Sequence, residues 1–68
     1  MQTRTYVVTG MTCEHCVASV TEEVGELAGV RSVDVDLASG RLQVTGQDVP
    51  DEQVTAAVAE AGYSADPA

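Results

Sequence analysis

The chain has no phenylalanine, no tryptophan and no lysine, and two tyrosines are its only aromatic residues. Its core must therefore be built from valine, alanine and leucine. At 68 residues it lies near the lower limit at which one core supports itself, so the expectation is one small domain over residues 1–68. Without lysine, three arginines face eleven acidic residues, and the formal net charge is −8. That balance argues against nucleic acid as a partner, because phosphates need a basic face. It argues equally against an anionic membrane surface. No apolar run approaches the ~18 residues that span a bilayer. The first residues, Met1-Gln2-Thr3-Arg4, lead into an alternating segment and not into the apolar block of a signal peptide. No carboxylate, histidine and nucleophile combine into a catalytic set, so the chain does not read as an enzyme. The expected location is the cytoplasm, where thiols stay reduced. A disulfide within so short a loop would do little to staple the fold.

What is present is a regular succession of periodic segments. Thr3 to Thr9 is rich in β-branched residues and reads as a strand, with Tyr6 and Val8 on one side and Thr5, Val7 and Thr9 on the other. Gly10 breaks it. From about Cys13 to Leu27, the positions Val17, Val20, Val24 and Leu27 make one stripe on a helix, with Gly29 as its stop. Val33, Val35 and Leu37, then Leu42 and Val44, alternate with polar residues around the turn Ala38-Ser39-Gly40, which predicts an antiparallel hairpin. Pro50 suits the first turn of a second helix, whose apolar face is Val54, Ala57, Val58 and Ala61 and whose end is Gly62. Tyr63 to Ala65 reads as a last strand, followed by a tail, Asp66-Pro67-Ala68. The order βαββαβ predicts an α+β, ferredoxin-like fold: a four-stranded antiparallel sheet with both helices on one face and the other face open.

The two cysteines, Cys13 and Cys16, fall between the first strand and the first helix with Cys-x-x-Cys spacing. Residues i and i+3 at a helix start lie about 5–6 Å apart at Cβ, so both sulfurs can converge on one ion. The helix N-terminus favours thiolate over thiol. Both cysteines are expected to be partly exposed, since an ion that is handed on must be reached.

Gly10-Met11-Thr12-Cys13-Glu14-His15-Cys16 after the first strand, with Gly62-Tyr63 after the second helix, resembles the heavy-metal-associated domain family, most closely its free-standing bacterial copper chaperones. The resemblance runs over nearly the whole chain. It implies Cu(I) as the cargo, held by Cys13 and Cys16, since soft Cu(I) accepts two thiolates in near-linear array. It further implies that Met11 packs inward beneath the loop and that Tyr63 covers the metal, its hydroxyl directed toward a thiolate. A Tyr63 that only packs the sheet end is the alternative. Thr12 either caps the helix or bonds near a sulfur. His15 lies about 200° around the helix from Cys13 and about 100° from Cys16 if that turn is helical, so it reads as an exposed neighbour of the site, with direct ligation as the alternative.

The function expected from this resemblance is that of a cytoplasmic Cu(I) metallochaperone. It would pass its ion by ligand exchange to the metal-binding domain of a copper-transporting P-type ATPase or to a copper-responsive repressor. A monomer is expected without metal, and a Cu(I)-linked dimer or higher oligomer with it. Two rivals stand beside it: a metal-binding module of a P-type ATPase, and a mercury- or zinc-binding protein of the same fold. Structural zinc wants four ligands, and the motif offers two cysteines and one histidine. A thioredoxin-like redox role also uses Cys-x-x-Cys, but the chain is too short for that fold.

Overall fold

The computed structural model describes all 68 residues, in the order β1 (Gln2–Thr9), α1 (Glu14–Gly25), β2 (Val30–Asp36), β3 (Arg41–Gly46), α2 (Asp51–Glu60) and β4 (Ser64–Pro67). The strands form one antiparallel sheet in the order β2-β3-β1-β4. β1 and β3 are central, and they carry the inward residues with the least contact with water. Tyr6 and Leu42 lie directly opposite each other and are both fully buried, with Val8 and Val44 beside them. The two-residue period of the strands puts these side chains on one face, and both helices cover that face. Val20 and Val24 come down from α1; Val54, Ala57 and Val58 come from α2; Val49 closes the end. On the opposite face Val7 is 45% exposed, so that side of the sheet is open to water.

Several boundaries differ from the pattern in the sequence, each for a local reason. β1 starts at Gln2, because Gln2 and Thr3 find partners in Gly46 and Thr45. α1 ends at Gly25, and Leu27 lies in the turn beyond it, still packed against the core. The buried stripe of α1 is Cys16, Val20 and Val24, spaced by four, and Val17 sits at its margin. Pro50 is the N-cap of α2 and precedes its first turn. The expected tail is sheet: Tyr6 pairs with Pro67, Val7 with Asp66, and the Ala68 N–H donates to the Thr5 carbonyl at 3.0 Å. Proline is tolerated there because β4 is an edge strand.

Tyr63 is not part of that last strand. The Gly62 N–H donates to the Ala59 carbonyl at 2.9 Å and the Tyr63 N–H to the Val58 carbonyl at 3.1 Å, with Gly62 at φ +98°. This is a left-handed helix cap, which glycine forms without strain. It fixes Tyr63 to the last turn of α2 and turns it toward the loop between β1 and α1.

Candidate metal centre

Two elements and the loop between them build the site. β1 ends at Thr9, and Gly10, at φ +103°, reverses the chain so that Met11-Thr12-Cys13 leads directly into α1. Met11 is partly buried against the core and holds the loop from below. Cys13 is the N-cap of α1 in extended conformation, and Cys16 lies in the first helical turn. The three-residue step brings their sulfurs to 3.6 Å. Cys13 is exposed. Cys16 is only 9% exposed and sits on the buried stripe of the helix, against the expectation that both thiols would face water. Helical periodicity explains this: Cys16 precedes Val20 by four residues and so shares its inward face.

Burial alone would push a thiol up, yet Cys16 is lowered from 9.0 to about 6. The main cause is the backbone amide of Thr12, followed by the side chain of Tyr63, then the amide and thiol of Cys13. A loop wrapped over a helix N-terminus aims its N–H groups at the sulfur, so the charged form is solvated by protein dipoles. The Thr12 hydroxyl is 3.9 Å from Cys16 Sγ. Thr12 is therefore a neighbour of the sulfur and not the helix cap, a position that Cys13 holds without a side-chain capping bond.

Tyr63 closes the site from the side of α2. A Cβ on Gly10 would lie 3.3 Å from Tyr63 Cδ1, so the ring rests on the glycine at the start of the loop. Its phenol is held above its usual value, first by the interaction with Cys16 and then by loss of hydration. The same interaction is the second-largest cause that lowers the Cys16 thiol. Tyr63 also packs against the core, so one side chain touches both the sheet end and the loop that carries the thiols. His15 is exposed on the first turn, and no cluster of three or more His, Cys, Asp or Glu side chains surrounds a common point anywhere in the chain. The arrangement offers a soft ion two sulfurs and no harder ligand, the donor set suited to Cu(I) or Hg(II) and ill suited to structural zinc.

One constellation escaped the sequence reading. Tyr6 is fully buried, but its hydroxyl donates to Asp51 Oδ1 at 2.6 Å, and Arg4 Nη1 reaches the same oxygen at 2.8 Å. Burial and then the Asp51 bond push Tyr6 up to about 12, while the Tyr6 hydroxyl and then Arg4 hold Asp51 below the usual carboxylate range. Arg4 and Tyr6 are two residues apart on one strand, a faint signal that reveals a shared face but not a shared partner.

Comparisons with known proteins show which family the chain resembles. The model of the heavy-metal-associated domain matches residues 5–64. The copper chaperone CopZ of Bacillus subtilis is 38% identical over 65 residues, which cover 93% of this chain and 94% of that protein. The periplasmic component of the mercuric transport protein of Pseudomonas aeruginosa is 39% identical over 64 residues, covering 91% of this chain and 70% of that one. A solved copper binding domain from HMA7, a P-type ATPase, superposes with a TM-score of 0.96 at 30% identity, covering 100% of this chain and 95% of that one. Strand order, helix placement, the thiol pair at the start of α1 and the span of the match lead to one assignment: the chain belongs to the heavy-metal-associated domain family.

Proposed function

We propose that this protein is a Cu(I) chaperone that holds its ion between Cys13 and Cys16 and delivers it by thiolate exchange. The observation that carries the reading is the pair of sulfurs 3.6 Å apart, one exposed and one buried, at the start of α1. The two thiols have different roles. Cys16, stabilised as thiolate by the loop amides and Tyr63, is the resident anchor. Cys13, at the N-cap and facing water, is the ligand that opens and closes. A near-linear array of two thiolates places the sulfurs on opposite sides of the ion, farther apart than the 3.6 Å of the metal-free pair. The sulfurs must therefore separate on loading, and the exposed Cys13 side chain is free to turn outward. In transfer, a thiolate of the acceptor attacks the ion from the exposed side, a three-coordinate intermediate forms, and Cys13 leaves before Cys16.

The proposed acceptor is a similar dithiol site on the metal-binding domain of a copper-transporting P-type ATPase, or a copper-responsive repressor. A second copy of the chain can supply the same attacking thiolate, so copper loading favours dimers over the metal-free monomer. The proposed location is the cytoplasm, whose reducing poise keeps both thiols available. No helix is long and apolar enough to cross a membrane. The proposed role is carriage without catalysis.

Two other readings have specific support. The similarity to the mercuric transport component favours Hg(II) as cargo. The superposition on the HMA7 domain favours a module of a transport ATPase. Titration with Cu(I), Zn(II) and Hg(II) against a competing chelator tests the cargo. The copper reading expects Cu(I) to be retained at chelator concentrations that strip Zn(II). Retention of Hg(II) alone would replace it with the mercury reading.

A further inference from the structure

We propose that Asp51, held by Tyr6 and Arg4, is a positioning residue that sets the axial placement of α2 and thereby seats Tyr63 over the dithiol. The two hydrogen bonds to Asp51 Oδ1 are the only side-chain hydrogen bonds that join either helix to the sheet. They act at the first residue of α2, from two residues on the same strand.

The need for such a latch follows from the rest of the interface. The buried face of α2 is Val54, Ala57 and Val58. Helices are held in register by ridges that enter grooves, and alanine and valine make shallow ridges. Burial alone keeps this helix on the sheet but resists sliding and rotation weakly. A buried phenol that must reach one carboxylate has no such latitude, because a displaced helix leaves the Tyr6 hydroxyl without a partner. The other end of the helix transmits the placement. α2 is a rod of ten residues, about 15 Å long. Its C-terminal cap bonds the Tyr63 amide to Val58, so the backbone of Tyr63 travels with the helix. The Tyr63 ring then meets Gly10 and faces Cys16. The latch and the dithiol lie at opposite ends of α2, joined by one rigid element.

The consequence for Cu(I) release rests on the chaperone reading above; the seating of Tyr63 does not, and can be tested without metal. Nuclear Overhauser contacts between the Tyr63 ring and the Gly10 α-protons are to be measured in the metal-free wild type and in Tyr6→Phe, Asp51→Ala and Asp51→Asn. Tyr6→Phe keeps the ring and removes only the hydroxyl. Asp51→Asn keeps an oxygen that can accept both bonds. The expected result is loss of the contact in Asp51→Ala, weakening in Tyr6→Phe and retention in Asp51→Asn. Val24→Ala, a truncation on the other helix, controls for simple destabilisation and should leave the contact intact. In the copper-loaded proteins, release to a chelator should accelerate in Asp51→Ala toward the rate of Tyr63→Phe, and the double variant should be no faster than Tyr63→Phe alone. An unchanged Tyr63–Gly10 contact in a folded Asp51→Ala variant, or additive effects in the double variant, would overturn the proposal. A wild type that binds no Cu(I) would overturn the chaperone reading and leave the contact measurement decisive for the latch.

Discussion

Cys13 and Cys16 share one motif but not one environment. The spacing is legible in the sequence; the difference in exposure follows from where α1 meets the sheet. The amides that lower Cys16 belong to a loop whose path no local pattern specifies, and so the size of the effect was not legible. It has a direct readout. With Cys13 replaced by serine, the thiolate absorbance of the variant reports Cys16 alone, and its midpoint should fall well below the ordinary 9.0, because the Thr12 amide, the largest cause of the shift, is retained. Tyr63→Phe in that background should move the midpoint upward, but only partly, because the Thr12 amide is the larger cause. A lowered thiol also links folding to pH. Cys16 contributes to the stability of the metal-free fold fully above the unfolded value of 9.0, and the contribution is lost as pH falls through the folded value of about 6. Unfolding midpoints in denaturant that show no rise between these limits, where the Cys16→Ser variant serves as baseline, would contradict this assignment.

At the scale of elements, the periodic segments carried most of the fold. Alternation in Tyr6/Val8 and in Leu42/Val44 identified the inner face of the central strands, because a strand buried on one side must repeat every two residues. The ends were less legible. Asp66-Pro67 reads as a tail since proline and a charge are poor strand formers, yet an edge strand pairs through only one side and accepts both. The Tyr6–Asp51 bond joins positions 45 residues apart in sequence, a separation beyond the reach of any window. With no large aromatic residue in the core beyond Tyr6, packing concentrates on a few aliphatic side chains. Leu42 is fully buried opposite Tyr6. Leu42→Ala should cost about 2–5 kcal/mol, a large share of the stability of so small a domain, and chemical denaturation measures it directly. A loss well under 1 kcal/mol would mean that the central strands are not the core.

For the molecule as a whole, the −8 charge is the feature with the longest reach. Arg4 is paired with Asp51, so it offsets one carboxylate at the start of α2 and leaves the rest of the acidic excess in place. Glu22, Glu23 and Glu26 ride on or just beyond the helix that begins at the dithiol, and Glu22 and Glu26 are exposed. Attraction to a basic acceptor mainly raises the association rate and is screened over about 10 Å at 0.1 M salt. Reversing these three glutamates to lysine should slow copper transfer to a basic acceptor and flatten its salt dependence, with Cu(I) affinity nearly unchanged. A transfer rate indifferent to both salt and reversal would reduce the acidic surface to a solubility feature. Net charge and its sign were fully legible in the sequence; which carboxylates on the helix are exposed needed the helix phase. The central claim, that one thiol pair holds one soft ion, is tested most directly by competition between the protein and a Cu(I) chelator, measured for the wild type, Cys13→Ser, Cys16→Ser and the double variant. Wild type should retain Cu(I), each single variant should surrender it, and all four should keep the same fold by circular dichroism. Retention of Cu(I) by the folded double variant under the same competition would contradict the account.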